Sequence, residues 1–219
     1  EVDGGVTAPL NKEAMNLAGF SYAGHTELFT ERTGAAASRM MLATDSFRIV
    51  HVTTHIALRE VPEKVTADRI VTTLEMAHEA LIDLGIEKPR IVVSGLNPHC
   101  GEGGMFGREE VDVIGPAIQQ ARAEGLDVVG PIPADSFFPM ALRGDFRGLV
   151  CMYHDQANIG RKLLGRDSPG VSLFLGMPVP VVTVPHGTAY DIAWKGVAKH
   201  AMVVRAVTMA AALARQGGN

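Results

Sequence analysis

The chain has 219 residues, of which 47% are apolar, 20% are charged and 5% are aromatic. That composition is too apolar for intrinsic disorder and is sufficient for one large hydrophobic core or two small ones. Lys and Arg number 20 against 24 Asp and Glu, a net charge of −4, so a basic surface for nucleic acid is not expected.

The first half of the chain alternates short apolar runs with segments of helical periodicity. Thr66 is a suitable N-cap, and apolar residues recur after it at spacings of three and four up to a stop at Gly85. A later helix is predicted to bury Val111, Ile114 and Ala121 on one face, together with Ile118. The predicted elements are a strand end at 6–10, a helix at 11–17, a strand at 47–53, a helix at 66–84, a strand at 91–96 and a helix at 108–124.

The second half continues this alternation and then changes character. Strands are predicted at 126–129 and 149–153, followed by two β-rich runs at 171–175 and 179–184 and a final helix at 196–214. Short apolar strands alternating with amphipathic helices are typical of parallel βαβ units. The sequence therefore predicts an α/β fold with three α/β/α layers.

Features of membrane insertion and secretion are missing from the sequence. The longest apolar stretch, 171–184, contains glycine and prolines, and the acidic start of the chain has no basic and apolar signal regions. Two cysteines, Cys100 and Cys151, do not form a disulfide framework. We therefore expect a cytoplasmic protein with no membrane partner.

Three of the eight histidines follow predicted parallel strands closely: His55, His99 and His154. Ligand sites of open α/β sheets lie outside the carboxyl ends of the strands, so three imidazoles delivered there can converge. Neutral imidazole is a common ligand of zinc and similar divalent ions, and three protein ligands leave a position for substrate. For each histidine taken alone, an ordinary loop position is the alternative.

The neighbours of these histidines are polar and glycine-rich. Tyr153-His154-Asp155-Gln156 places polar side chains directly after a strand, and 97–104 (NPHCGEGG) leads into a helix. Glycines there allow a backbone to approach a ligand closely, and a helix N-terminus favours an anion. A flexible loop before a capped helix accounts for the same composition.

Three further groups are candidates for binding or catalysis. His25 and Thr26 suit phosphate or carboxylate oxygens. Asp135, after another strand, is a possible base or amine partner; on sequence alone a helix N-cap is the favoured alternative. Asp191, beyond His186 and a glycine turn, could accept hydrogen bonds from ribose hydroxyls.

The GxGxxG, Walker A and GxSxG motifs do not occur in the sequence. The remaining histidines (51, 78 and 200) are interpreted as structural or solvated.

Six segments occur in the order found in one enzyme family: GHTE (24–27), VTTHIAL (52–58), SGLNPHCGEGGMFGREE (94–110), GPIPADSFF (130–138), MYHDQ (152–156) and VPHGTAYDIAWKG (184–196). On these motifs the chain resembles the 4-hydroxythreonine-4-phosphate dehydrogenases of pyridoxal phosphate synthesis and their paralogues that act on four-carbon acid phosphates. The resemblance covers essentially the whole chain. It implies a fold related to isocitrate and isopropylmalate dehydrogenases and a cytoplasmic homodimer with the active site at the subunit interface.

The resemblance also implies roles for individual residues. It makes His55, His99 and His154 ligands of a divalent metal, with one ligand from the neighbouring subunit; zinc is the expected ion, and cobalt, nickel or manganese are alternatives. Lys162 matches a substrate-binding lysine and, with Asp135, is a catalytic candidate. His25 and Thr26 match substrate contacts. NAD, rather than NADP, is expected at a loop formed by His186, Gly187, Thr188, Ala189 and Asp191, since a carboxylate repels a 2′-phosphate.

The chain departs from the family pattern in two respects. Ser172 replaces the usual substrate-binding Asn, and Val181 replaces an Arg, which removes a bidentate partner for phosphate or carboxylate. The leading part of the family's nucleotide-binding domain also has no counterpart, and Lys12 is among the first matched positions. The predicted division is a remnant of that domain at 1–17 and 155–219, and a central domain at 18–154 with the metal site and dimer interface.

These observations leave three hypotheses about function. The first is NAD-linked, metal-dependent oxidation of a secondary alcohol in 4-hydroxythreonine 4-phosphate or a related small anionic hydroxy acid, with decarboxylation of the β-keto acid. The second is a dehydrogenase of an unphosphorylated cis-diol carboxylic acid, suggested by Ser172 and Val181. The third is a truncated metal-binding dimer without turnover.

Overall fold

The computed structural model describes residues 2–22, 24–164 and 170–217. Across these ranges strands alternate with helices from beginning to end, and short 3-10 turns and one π-helical turn (Glu110–Ile114) join some of them. In chain order the elements are β1 (Gly5–Thr7), α1 (Lys12–Leu17), α2 (His25–Thr33), β2 (Arg39–Ala43), β3 (Arg48–His51), α3 (Val61–Lys64), α4 (Ala67–Asp83), β4 (Ile91–Ser94), α5 (Gly115–Ala123), β5 (Val128–Ile132), α6 (Ala134–Leu142), β6 (Gly148–Cys151), α7 (His154–Leu164), β7 (Val171–Leu175), β8 (Val181–Thr183) and α8 (Ala201–Gly217).

The chain divides into two compact units. The first, called here the terminal unit, comprises Glu1–Asp45 and Asp167–Asn219, and the second, the central unit, comprises Ser46–Arg166. The division expected from the sequence has its boundaries after residues 17 and 154, whereas the compact units meet at 45/46 and 166/167. A nucleotide-binding role for the terminal unit stays a prediction.

The central unit is built on four parallel strands in the order β3-β6-β4-β5. Successive residues of a strand point to opposite faces of a sheet. Leu149 of β6 lies in a buried cluster with Phe137 of α6 and Ala157 of α7. The adjacent Gly148 faces α4, because a Cβ built on it would lie 2.6 Å from Cδ1 of Leu81. Helices therefore cover both faces of the sheet, which confirms the predicted three layers.

The terminal unit is a mixed sheet. Strands β1 and β8 are parallel, whereas β8 pairs with β7, and β7 with β2, in antiparallel fashion. Helix α8 packs on β8, β1 and β7. Helix α2 approaches β7 through Phe29, whose ring centroid lies 6.0 Å from that of Phe174. The two β-rich runs predicted near the end of the sequence are thus a pair of neighbouring strands.

Most predicted elements are confirmed, and the differences have local causes. Thr66 caps α4 by accepting a hydrogen bond from the N–H of Arg69 at 3.4 Å. The last helix begins at Ala201 rather than at 196, because Trp194 and Gly196 have positive φ angles of 64° and 67°. The helix predicted at 108–124 begins with the π-helical turn, and the predicted burial of Val111 within that turn is wrong, since Val111 is 47% exposed.

Elements β2, α2, α6 and α7 were not predicted from the sequence. Helix α2 buries none of its residues, so its sequence carries no apolar periodicity. Strand β2 contains methionine, leucine and alanine rather than β-branched residues. Strand β2 is therefore determined by its pairing with β7 rather than by local propensity.

A search of the described residues for a helix long and apolar enough to span a bilayer finds none.

Replacement of Leu149 by Ala should lower the unfolding free energy of the central unit by about 2–5 kcal/mol, because it leaves a cavity in the centre of the sheet. Urea denaturation followed by circular dichroism measures this change. Leu58→Ala is the control, since Leu58 is 68% exposed. Equal losses from both substitutions would contradict the assignment of Leu149 to the core.

Candidate functional site

The parallel strands of the central unit carry all three candidate histidine ligands to one edge. Strands β3, β6 and β4 are adjacent and run in the same direction. His55 follows β3, His154 begins α7 after β6, and His99 lies in the loop after β4. The topology therefore places the three residues beyond the carboxyl ends of neighbouring strands, as the sequence predicts.

His55 and His154 lie close together, with ring centroids 5.6 Å apart and ring planes inclined at 44°. Two imidazoles that bind one ion tetrahedrally at about 2.0–2.1 Å have ring centroids roughly 5–6 Å apart. The pair therefore fits two positions of a divalent metal site. Nitrogen donors of this type suit zinc and the later first-row transition metals.

The orientation of His154 is fixed from two sides. Its Nδ1 shares a hydrogen bond with Oδ1 of Asp155 at 2.6 Å, so Nε2 is the ring nitrogen that could bind a cation. On the other side, the buried ring of His51 stacks on it at 5.9 Å and 16°. Asn158 links the two, because its Nδ2 lies 3.3 Å from Nε2 of His51 and donates to the carbonyl of His154 at 3.1 Å. The structural role predicted for His51 is therefore packing against His154.

His99 lies apart from this pair within the single chain. It is exposed, and its ring is 6.4 Å from that of Phe106. Among the described residues, no three His, Cys, Asp or Glu side chains are arranged to hold a metal ion. The chain by itself thus brings together two of the three predicted ligands. A third ligand donated across a subunit interface remains a prediction.

Gln156, to which the sequence analysis gave no role, connects the ends of two strands. Its Oε1 accepts hydrogen bonds from the N–H of Met152 at 2.8 Å and from Oγ of Ser94 at 2.7 Å. Its Nε2 donates to the carbonyl of Gly95 at 2.8 Å. The first turn of α7, which begins at His154, is therefore tied to the start of the loop that carries His99. Its place in the MYHDQ motif was the only sequence signal for this role.

Asp135 and Lys162 occupy exposed positions on two helices of the central unit. Oδ1 of Asp135, in the first turn of α6, accepts a hydrogen bond from the N–H of Ser136 at 3.0 Å. The N-cap of α6 is Pro133, without a side-chain cap hydrogen bond, so the alternative that Asp135 is a helix N-cap is wrong. Burial, together with the negative charges of Glu110 and Asp135, raises the pKa of the Cys100 thiol to about 11. The carboxylate of Asp135 therefore lies near the loop that contains His99. Lys162 lies two turns into α7.

His25 and Thr26 begin helix α2 of the terminal unit. The His25 ring stacks on Phe29 at 6.0 Å and contacts Phe174 at 6.4 Å. This half-buried position lowers the pKa of His25 below its usual value. Gly24 precedes the helix, and a Cβ built there would lie 3.7 Å from Cε of Lys12. Oε2 of Glu27 lies 3.5 Å from the same Cβ, so a carboxylate and an ammonium group both lie near this helix N-terminus.

The predicted nucleotide loop follows β8 and is largely exposed. Nδ1 of His186 lies 2.9 Å from the carbonyl oxygen of Gly187, Ala189 has a positive φ of 51°, and Asp191 lies in an exposed 3-10 turn. By contrast, Ser172 and Val181, the two positions expected from the sequence to depart from the family pattern, are buried inside β7 and β8 with exposures of 2% and 5%.

Comparisons with known proteins identify the relatives of this chain. Residues 1–210 match the family described as pyridoxal phosphate biosynthetic protein PdxA. A 4-hydroxythreonine-4-phosphate dehydrogenase of Geobacter metallireducens is 48% identical over 99% of this chain and 64% of its own length. A D-threonate 4-phosphate dehydrogenase of Pectobacterium atrosepticum is 44% identical over 98% of this chain and 65% of its own length. The chain thus spans less than two thirds of these relatives.

Solved structures show the same fold. A 4-hydroxythreonine-4-phosphate dehydrogenase from Klebsiella pneumoniae, 42% identical, aligns with 96% of this chain and 63% of its own with a TM-score of 0.85. A terephthalate 1,2-cis-dihydrodioldehydrogenase from Burkholderia xenovorans, 31% identical, aligns with 96% of this chain and 67% of its own at 0.75. A β-decarboxylating dehydrogenase from Thermococcus kodakarensis, 14% identical, shares the fold at 0.56. The predicted fold class is confirmed.

The environment of His25 predicts a pH-dependent contribution to stability. Burial lowers its pKa in the folded state, so the unfolded chain binds the proton more tightly. The unfolding free energy should therefore decrease as the pH falls through the ordinary histidine pKa of about 6.5. Urea titrations at about pH 5 and about pH 8 should show a smaller difference for His25→Gln than for the wild type. An identical difference in both proteins would contradict the lowered pKa.

Proposed function

The chain belongs to the PdxA family of pyridoxal phosphate biosynthetic proteins, and from this membership we propose that it forms the catalytic part of a metal-dependent, NAD-linked dehydrogenase. The substrate is 4-hydroxythreonine 4-phosphate or a related four-carbon hydroxy acid phosphate. Oxidation of its secondary alcohol gives a β-keto acid, which loses carbon dioxide.

The observation that carries this proposal is the pair formed by His55 and His154. Their rings lie 5.6 Å apart at the carboxyl edge of a parallel sheet, at positions that match the family's motifs. We propose that His99 supplies the third ligand and that a homodimer completes the site across its subunit interface. Zinc is the proposed ion, with cobalt, nickel or manganese as alternatives. A divalent ion held there would lower the pKa of the substrate hydroxyl and stabilise negative charge on its oxygen.

Other residues of the chain bind and orient the substrate in this proposal. His25 and Thr26, with the helix N-terminus of α2, bind phosphate or carboxylate oxygens. The ammonium group of Lys162 offsets the remaining negative charge. Asp135 is the candidate partner for the amine or for proton transfer, since its carboxylate lies near the loop that contains His99.

The nucleotide is assigned to the exposed loop after β8. Asp191 would accept the ribose hydroxyls of NAD, and its charge disfavours the 2′-phosphate of NADP. The backbone of Gly187, Thr188 and Ala189 and the side chain of His186 would line the adenosine. NAD would accept the hydride from the substrate carbon.

A second candidate substrate class is an unphosphorylated cis-diol carboxylic acid. Val181 and Ser172 are buried and uncharged where the family usually has an Arg and an Asn, so two partners for an anionic group are missing. The name of the Burkholderia xenovorans relative describes a substrate of this class. This chain is more similar in sequence to the relatives named for phosphate substrates than to the Burkholderia xenovorans enzyme, which favours the first candidate.

Replacement of His99 by Ala should abolish retention of zinc and turnover, because two imidazoles bind the ion much less tightly than three. Metal content after gel filtration, measured by mass spectrometry, and NADH formation test this. His200→Ala is the matched control, since His200 is exposed and outside the proposed site. Full metal content and normal turnover in His99→Ala would contradict the assignment. Metal binding without turnover in the wild type would favour a metal-binding dimer that has no dehydrogenase activity.

A substrate comparison should separate the two candidate classes. We expect NADH formation with 4-hydroxythreonine 4-phosphate or D-threonate 4-phosphate, and a kcat/KM at least tenfold lower with an unphosphorylated cis-dihydrodiol carboxylate, because charge-assisted contacts to phosphate are lost. A preference for the unphosphorylated diol would replace the first candidate by the second.

A further inference from the structure

Glu110 is a buried acidic residue for which neither the sequence analysis nor the proposed reaction provides a role. It begins the π-helical turn Glu110–Ile114 and is only 5% exposed. Glu110 lies one helical turn before the buried Ile114, so its carboxylate is on the inward face, whereas the adjacent Val111 is 47% exposed. A buried carboxylate is costly unless hydrogen bonds satisfy its oxygens.

The Glu110 carboxylate is satisfied by the segment that leads to His99. Its Oε1 accepts hydrogen bonds from the backbone N–H groups of Leu96 and Asn97, both at 2.7 Å. Its Oε2 accepts one from Nδ2 of Asn97 at 2.9 Å. Hydrogen bonds to a charged acceptor are roughly twice as strong as neutral ones. One side chain therefore fixes two consecutive peptide groups immediately before the histidine.

The backbone beyond these peptides is strained. Five consecutive residues, His99 to Gly103, have left-handed φ angles between 43° and 74°, and three of them are not glycine. Non-glycine residues adopt this conformation at a cost and keep it only where the surroundings over-determine it. The strained turn also encloses the carboxylate, because a Cβ built on Gly101 would lie 2.9 Å from Oε2 of Glu110.

The opposite side of the same segment is held by Gln156. Its contacts with Ser94 and Gly95 tie the end of β4 to the helix that begins at His154. The residues between β4 and His99 are thus fixed from one side by the helix of one proposed ligand and from the other by Glu110. Neither side chain needs to contact a metal or substrate to have this effect.

We propose that Glu110 is a positioning residue, whose buried carboxylate holds the strained loop in the conformation that presents His99 to the metal. This inference rests on the proposed metal site. It predicts that Glu110 affects metal affinity and coordination geometry, whichever subunit of a homodimer supplies His99. Supporting residues of this kind are worth about tenfold to a hundredfold in metal affinity.

The test is cobalt binding by the full chain, followed by the visible d–d absorption of Co²⁺, with Glu110→Gln as the variant. In this variant the amide oxygen of Gln can still accept hydrogen bonds from the backbone N–H groups. Its NH₂ group, however, would face Nδ2 of Asn97, and two hydrogen-bond donors cannot pair. The negative charge of the carboxylate is also lost. We expect about tenfold to a hundredfold weaker binding and an altered spectrum. We also expect faster hydrogen exchange of the Leu96 and Asn97 amides in the metal-free protein.

Two further variants make the result decisive. Asp112→Asn is the matched control, because Asp112 lies in the same π-helical turn but is half exposed and pairs with Arg108 at 2.8 Å; cobalt binding should be unchanged. If Glu110→Gln does not fold, Asn97→Ser removes only the side-chain contacts and should weaken binding in the same direction.

The outcomes separate this inference from the proposed function. If folded Glu110→Gln binds cobalt with wild-type affinity and spectrum while His99→Ala does not bind it, the positioning role is overturned and the metal site stands. If the wild type shows no cobalt spectrum, the metal site is overturned and the positioning role with it.

Discussion

The common direction of three adjacent strands is the constraint on which the rest of the site depends. In the central unit β3, β6 and β4 are parallel neighbours, so their carboxyl ends open on one edge. Each strand is buried on both faces and provides little freedom for the residues that follow it. Hydrogen bonding of the sheet, rather than any direct attraction between imidazoles, therefore brings His55 and His154 within 5.6 Å.

Around that edge, buried polar groups act as fixed supports. The amide side chain of Gln156 forms hydrogen bonds with three partners at the ends of β4 and β6. The carboxylate of Glu110 accepts three hydrogen bonds from the loop after β4. Fully satisfied networks of this kind specify a single arrangement, whereas a partly satisfied one is costly. They explain how a turn with five left-handed residues persists beside the sheet.

Much of the central sheet follows from the sequence because its strands are short, apolar and β-branched. The sequence positions of these strands place His55, His99 and His154 just beyond strand ends. Their location at one edge of the sheet could therefore be predicted without any contact information. Burial of Glu110 was not predicted, because the periodicity argument considers apolar residues alone and Glu110, four positions before the buried Ile114, is charged. Helix α2 was not predicted, because none of its residues is buried and its sequence has no apolar periodicity.

Family membership and local geometry contribute different parts of the functional argument. The family match identifies the class of reaction to test, whereas the structure shows which of the expected ligands a single chain brings together. Ser172 and Val181, the positions on which the second candidate substrate class rests, are buried within strands of the terminal unit. The histidine edge belongs to the central unit.

The most direct measurement is anomalous diffraction at the zinc absorption edge from a crystal of the zinc-loaded protein. The account predicts one strong peak at the carboxyl edge of the central sheet, within about 2.0–2.1 Å of nitrogens from His55, His99 and His154, the three drawn from two subunits. A peak elsewhere, or these imidazoles directed away from one another in an assembled dimer, would contradict it.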